Sequence, residues 1–197
     1  ALADEVTMVR AAALPIALHP DPRDVAIIGW GSGLTTHTLL GSDSAEVVDT
    51  VEIEPGVVPG ATRSRQVNAR ALDDPRSRMH YEDAKTYFAA SRERYDVIVS
   101  EPSNPWVSGV AALFSIEFYR DIRRYLRDGG MLVQWVNVYE TTPQLVATII
   151  SALDANFSDY EFWMPNAGDM IVVAVNGGKL PKFDARAFER PKVRADL

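Results

Sequence analysis

The sequence predicts an α/β domain with a mostly parallel sheet, helices on both faces, and an antiparallel hairpin at the end. Three observations carry this expectation. Short apolar runs alternate with helix-like segments along most of the 197 residues, which is the pattern of a parallel sheet covered on both sides. The first such run, V-A-I-I from Val25, enters the glycine turn G-W-G-S-G and then a helix, and the next buried run closes on an acid at Glu52. Near the end, Tyr160 to Met164 and Met170 to Val175 are joined only by P-N-A-G-D, which leaves room for a turn but not for a helix.

The elements follow in order. Residues 4–18 have helical periodicity, with Val6, Val9, Ala13 and Ala17 on one side, and H-P-D-P-R ends that helix. After the glycine unit, Arg78 to Glu82 reads as a short strand and Ala84 to Arg92 as its helix. Y-D-V-I-V-S from Tyr95 is a buried strand, and Phe114, Phe118, Ile122 and Tyr125 mark one face of the next helix. Met131 to Val138 is a further strand. It leads to a helix that Thr142 can cap and Pro143 can open, with Val146, Ile149, Ile150 and Leu153 as its core stripe. A parallel sheet closed by a hairpin resembles the Rossmann-like class I methyltransferase fold rather than the dinucleotide-binding one. Residues 1–178 are expected to form that domain. From Lys179 the chain is polar and basic, with six Lys/Arg against three acids, and is expected to wrap the surface or fray.

Composition narrows the function. A net charge of −7 lacks the basic face a nucleic-acid binder needs, and suits a small cationic partner better. With no cysteine, disulfides, thiolate metal sites and cysteine nucleophiles are excluded. His19, His37 and His80 show no metal-ligand spacing, so no metal is expected. No apolar run reaches the roughly 18 to 20 residues that span a bilayer, and no signal peptide is visible. The chain opens on a helix-like segment without an initiator methionine, and so reads as a piece of something longer.

The glycine turn points to a ligand type. Gly29, Gly31 and Gly33 give G-x-G-x-G, whereas the dinucleotide fingerprint needs its third glycine at Leu34. No G-x-x-x-x-G-K-[ST] is present to hold a triphosphate. A nucleoside without phosphates remains, with S-adenosylmethionine or a relative leading. A tight turn that binds nothing is the bland alternative, and Glu52, placed where a ribose diol would sit, weighs against it.

In such sheets ligands lie outside the carboxyl ends of the strands. Those ends carry the glycine turn, then Glu52 with Ile53, then Asp83 and Ala84, then E-P-S-N-P-W from Glu101, then Gln134, Trp135 and Asn137. Three successive strand ends thus carry an acid in register with the glycine turn. Asp83 is placed for an adenine amino group or for the N-cap of its helix, or both. Trp106 either packs its loop down or lines the pocket. Glu101, fixed between a buried strand and a proline, is the sharpest catalytic candidate.

L-P-I-A-L-H-P-D-P-R-D-V-A-I-I-G-W-G-S-G, V-E-I-E, Y-D-V-I-V-S-E-P-S-N-P and L-F-S-I-E-F-Y-R-D-I-R-R-Y-L-R-D-G-G together resemble the spermidine/spermine synthase (polyamine aminopropyltransferase) family, over about residues 4–140. E-P-S-N-P-W-V-S-G is similar to a divergent bacterial branch often fused behind membrane-spanning segments. The resemblance implies a transferase in polyamine biosynthesis that takes decarboxylated S-adenosylmethionine, or S-adenosylmethionine, as a co-substrate and holds no tightly bound cofactor. Its partner would be a small amine, and its place the cytoplasm or the cytosolic side of a membrane protein. Family members are often dimers, so a homodimer stays open.

By the same resemblance, Gly29, Gly31, Ser32 and Gly33 surround the nucleoside and its methionine-derived tail. Glu52 and Ile53 meet the ribose, Asp83 and Ala84 the adenine, and Glu101 stands at the catalytic aspartate. Ser103, Asn104, Trp106 and Gln134 fall to the acceptor side. The chain departs from the family at Ser32 and Asn104, where aspartates are usual, and at Thr7 and Ala13, where a tyrosine and a histidine are usual. Two rivals remain: a methyltransferase on the same fold, and a catalytically silent ligand-binding domain of a larger membrane protein.

Overall fold

A computed structural model of the chain describes residues 2–61, 65–102, 110–139 and 141–197. Its elements run α1 (Leu2–Leu18), β1 (Asp24–Ile28), α2 (Leu34–Leu39), β2 (Val47–Glu52), α3 (Val57–Ala61), α4 (Arg65–Asp73), β3 (Ser77–Tyr81), α5 (Ala84–Ala90), β4 (Tyr95–Ser100), a 3-10 turn at Val110–Phe114 and α6 (Ile116–Arg123). There follow β5 (Leu126–Asn137), α7 (Pro143–Asp154), β6 (Asp159–Asn166), β7 (Asp169–Val175), a second 3-10 turn at Ala185–Glu189 and α8 (Pro191–Asp196).

The strands form one seven-stranded sheet in the order β3-β2-β1-β4-β5-β7-β6. β1 to β5 pair in parallel, whereas β7 runs antiparallel between β5 and β6. This is the expected parallel sheet closed by a hairpin. The chain starts in the middle and winds outward to β3, then crosses β1 to continue through β4. The order therefore reverses beside β1, and a crevice opens there at the carboxyl edge.

Side chains alternate between the sheet faces because the strand period is two. Val25, Ile27, Val97, Val99, Met131, Val133, Ile171 and Val173 pack toward α1 and α2 in one buried cluster. Ala26, Ile28, Ile98, Leu132, Val172 and Ala174 face the opposite way, onto Phe88, Phe118, Ile122 and Leu153. Continuous apolar strands are thus covered on both sides, as the sequence pattern requires.

Local chemistry places the boundaries. Thr142 caps α7 by accepting the Leu145 backbone N–H at 3.2 Å, with Pro143 in the first turn. The Phe114-to-Tyr125 stretch is not one helix. Ser115 caps α6 by accepting the Phe118 N–H at 3.2 Å, which separates Phe114 in the 3-10 turn from the rest. β5 begins earlier than the apolar run suggests, since Leu126 pairs with Tyr95 and the register then shifts so that Met131 pairs with Val97. Gly129, at φ 76°, accommodates this irregularity.

Residues 55–77 carry no apolar stripe and nevertheless hold α3 and α4. α4 is broken by a kink at the fully buried Asn68 (φ −130°, ψ 20°). Residues 179–197 return across the helices: Asp184 N donates to Ala17 O at 2.9 Å, Ala187 and Val193 are buried, and Asp196 pairs with Arg70 and His37. Among the described residues no helix is long and apolar enough to cross a membrane, and no cluster of His, Asp or Glu could hold a metal ion.

Candidate active site

A cavity of about 620 Å3 lies along the carboxyl edge, and Glu52, Asp83 and Glu101 all line it. Strand order explains the convergence, because β2 and β4 flank β1, β3 lies beyond β2, and these parallel strands end at the same rim. Gly29, Gly31, Ile53 and Ala84 line it too, with Met8 from α1, Val57, Glu82, Lys85 and the β5 residues Trp135 and Asn137.

The glycine turn is shaped by close approach. Gly29 sits at φ +94°, and a Cβ there would lie 2.9 Å from the backbone oxygen of Glu101. Any side chain would push the end of β1 away from the end of β4, whose Glu101 N–H bonds Ile28 O at 2.9 Å. Gly33, at φ +79°, precedes α2, and a Cβ there would strike the buried Trp30 ring. Ser32 and Gly33 do not line the cavity. Ser32 donates its hydroxyl to Met8 Sδ at 3.3 Å, and its carbonyl accepts Asn68 Nδ2 at 2.7 Å. Both residues build the turn that Gly29 and Gly31 present.

Glu52 is 8% exposed and held by two backbone donors. The N–H of Trp30, inside the glycine turn, bonds Oε2 at 2.8 Å, and the N–H of Glu54 bonds Oε1 at 2.8 Å. Each oxygen keeps a lone pair for a hydroxyl in the cavity. Asp83 caps α5, its Oδ2 accepting Thr86 N at 3.0 Å, while the residue also lines the cavity.

Glu101 has the most unusual surroundings. Its Oε1 meets the Thr35 hydroxyl, and its Oε2 is buried with no hydrogen-bond partner among the described residues. Burial disfavours the charged form and pushes the carboxyl from its ordinary 4.5 up to about 8, against the opposing pull of the Thr35 bond. Thr35 also lies 3.2 Å from Met8 O. One hydroxyl carries one hydrogen, so the two contacts describe two states. With Glu101 ionised, Thr35 donates to it. With Glu101 protonated at Oε1, Glu101 donates to Thr35 and Thr35 to Met8 O.

Gln134 is not in the lining. It is fully buried, its Oε1 accepts the Tyr119 hydroxyl at 2.5 Å, and its Nε2 donates to Leu113 O at 2.9 Å, so its side chain ties β5 to the 3-10 turn. Ser103, Asn104 and Trp106 lie outside the described residues. Thr7 is also fully buried and donates to Asp169 Oδ2 at 2.7 Å, and Ala13 lines a separate cavity of about 280 Å3 that contains no Asp or Glu side chain. Sequence reasoning did not single out Thr35 or Met8. Thr35 is one of two adjacent threonines, and Met8 sits in a helix whose apolar residues read as core.

Comparison with solved structures places the class. The chain superposes with TM-score 0.79 on a spermidine synthase in complex with the transition-state analogue AdoDATO, at 23% identity over 97% of this chain and 66% of that one. It superposes with TM-score 0.69 on human methyltransferase-like protein 13 in complex with SAH, at 18% identity over 98% of this chain and 89% of the other. The fold is therefore the Rossmann-like class I methyltransferase type, as the strand alternation and hairpin predict.

Within that class the sequence is more specific. The model of the spermine/spermidine synthase domain matches residues 9–184, and the polyamine aminopropyltransferase of Pyrobaculum calidifontis is 32% identical over 161 residues, 78% of this chain and 56% of the relative. The chain belongs to the spermine/spermidine synthase family. It spans about half the length of the curated relatives it matches, from 41% to 62%.

Proposed function

We propose that this domain binds decarboxylated S-adenosylmethionine and transfers its aminopropyl group to an amine, with Glu101 as proton acceptor. The observation that carries the reading is the Glu101 carboxyl, one oxygen anchored by Thr35 and the other buried without a partner among the described residues, in a cavity shared with Glu52 and Asp83. Glu52 would accept the ribose hydroxyls and Asp83 the adenine amino group, with Gly29 and Gly31 against the nucleoside.

Lining charge favours the decarboxylated donor. Among the described lining residues Lys85, beside Asp83 at the β3 end, is the one cation, and Glu101 stands toward the other end. A methionine carboxylate near Glu101 would meet a like charge with no lining cation beside it among the described residues, whereas an aminopropyl group, which lacks that carboxylate, would not.

In the reaction, the amine nitrogen attacks the aminopropyl carbon bonded to sulfur. A C–N bond forms, the C–S bond breaks with its electron pair going to sulfur, and methylthioadenosine leaves as a neutral thioether. The nitrogen's proton passes to Glu101. A carboxylate whose basicity is raised by burial accepts it more readily than an ordinary one, and the sulfonium in the cavity keeps that carboxylate ionised until the step occurs. Most of the acceleration then comes from alignment, since a sulfonium leaves readily.

Calorimetric titration with decarboxylated S-adenosylmethionine, S-adenosylmethionine and methylthioadenosine tests this. Preference for the decarboxylated donor is the expected result. Preference for the carboxylated one would replace aminopropyl transfer with methyl transfer, and binding of none would leave a catalytically silent domain.

A further inference from the structure

We propose that Tyr87 on α5, acting through Tyr95 and Asp49, positions Asp83 against the adenine amino group and so sets the preference of the cavity for adenine. The inference rests on the nucleoside reading of the site and adds to it a positioning residue that does not itself line the cavity.

Asp83 and Ala84 line the cavity where α5 begins. The chain enters that helix through Glu82, whose backbone N–H bonds Glu52 O at 3.1 Å beside the end of β2. A single tie of this kind leaves the helix free to swing about its first residue. Phe88, 2% exposed, seats α5 on the core, but apolar contact is non-directional and does not fix the rotation of the helix. Tyr87 supplies a second, directional tie to the same strand.

Asp49 is 4% exposed and lies on β2, three residues before Glu52. Its Oδ2 accepts the Tyr95 hydroxyl at 3.1 Å, and its Oδ1 meets His80 Nε2 at 2.8 Å. The Tyr95 hydroxyl in turn lies 2.9 Å from that of Tyr87. Burial pushes both hydroxyls above the usual tyrosine range, so each keeps its hydrogen. A carboxylate only accepts, so Tyr95 gives its hydrogen to Asp49 and Tyr87 gives its own to Tyr95. The backbone N–H of Tyr87 also donates to Asp83 O at 2.9 Å. The residue that grips β2 is thus bonded directly to the one that faces adenine.

The Asp83 carboxylate is half used inside the protein. Its Oδ2 accepts the N–H and the hydroxyl of Thr86, at 3.0 and 3.3 Å, which leaves Oδ1 for a ligand. An adenine amino group can donate to that oxygen, whereas the carbonyl oxygen of hypoxanthine would bring a second acceptor against it. Discrimination therefore depends on aim, because a hydrogen bond weakens steeply as its angle closes. A swing of α5 would spoil the aim while leaving the ribose contact at Glu52 in place.

Methylthioadenosine and methylthioinosine, titrated calorimetrically into the full chain and its variants, test this. Tyr87→Phe removes the hydroxyl and keeps the ring beside His80 and Phe88, whose centroids lie at 4.8 and 5.3 Å. Tyr95→Phe breaks the same chain one link further on. Either variant is expected to lower the preference for methylthioadenosine by about three- to tenfold, the scale of one hydrogen bond, with methylthioinosine little changed. Asp83→Ser keeps a helix cap and removes the carboxylate, so in that background Tyr87→Phe should leave the preference unaltered. A lower melting temperature with the preference intact would make Tyr87 a fold residue only. That result, an equal effect of Tyr87→Phe in both backgrounds, or equal binding of the two nucleosides to the unaltered chain overturns the inference and leaves the nucleoside site standing. Failure of methylthioadenosine to bind the unaltered chain overturns the site reading, and the inference with it.

Discussion

Thr35 on α2 touches the Glu101 carboxyl on one side and approaches Met8 O at 3.2 Å on the other, so its single hydroxyl serves either protonation state of the acid. The second carboxyl oxygen, Oε2, is buried without a partner among the described residues. Burial favours the protonated form of a carboxyl held this way, and a cation entering the cavity would favour the ionised one. The pairing thus connects the local packing of α1, α2 and β4 to the proposed chemistry.

Glu101→Gln should cut transfer by about 10²- to 10⁴-fold, the usual contribution of a positioned base, while leaving nucleoside affinity nearly intact. Steady-state turnover and calorimetry on the same preparation check both halves. Turnover equal to that of the unaltered chain would remove Glu101 from the mechanism.

The same residue predicts how stability varies with pH. Burial raises Glu101 from 4.5 to about 8 in the folded chain, so between those values the folded state binds more protons than the unfolded one. Stability from this group is then fully present below 4.5 and falls as pH rises through about 8. Glu101→Gln should flatten that decline and leave the variant the more stable form above it, by an amount on the order of a few kcal/mol. Urea melts of both forms across the window would detect the difference, and parallel curves would show that the carboxyl is not buried in solution.

Thr35→Val keeps the volume and removes the hydroxyl. Because the Thr35 bond lowers the Glu101 pKa, its loss should move the rise of kcat/KM to higher pH, at a cost of about 1 kcal/mol in stability. A pH-rate profile separates this from a purely structural effect, which would lower the curve without shifting it.

Glu52→Ala should weaken nucleoside binding by roughly 1.5–3 kcal/mol, the scale of a hydrogen bond to a charged group. The substitution also strips the acceptor from the Trp30 N–H in the glycine turn. Calorimetry with methylthioadenosine reads the loss, and unchanged affinity would place the ribose elsewhere.

Much of this was legible in the chain, and the rest fails for identifiable reasons. β4 matches the apolar run Tyr95–Ser100, because strands buried on both faces write their own limits. α4 was not legible, since Asn68 and Ala71 are its buried residues and its other described positions carry no stripe. At the site, Glu52, Asp83 and Glu101 could be placed from strand ends alone. The direction of Gln134 could not: it follows Val133 and precedes Trp135, but hydrogen bonds to Tyr119 and Leu113 hold its amide inside the protein. Partner choice by a polar side chain depends on tertiary neighbours that no local pattern reveals. Thr35 is invisible for the same reason, as its partners lie 27 and 66 residues away.

Asn68 supplies the last prediction. Its Nδ2 donates to Ser32 O at 2.7 Å from the kink in α4, tying that helix to the glycine turn. Asn68→Ala would leave the Ser32 carbonyl without this donor and cost roughly 1–3 kcal/mol in stability, with a rise in KM for the donor as the turn loosens. Asn68→Asp is nearly isosteric but puts a carboxylate oxygen against a carbonyl oxygen, so it should be worse than Ala on both measures. If the kink mattered only for folding, both variants would lose stability while KM for the donor and kcat stayed unchanged. A KM that rises from the parent chain to Ala to Asp at constant kcat would instead identify Asn68 as the residue that positions the glycine turn.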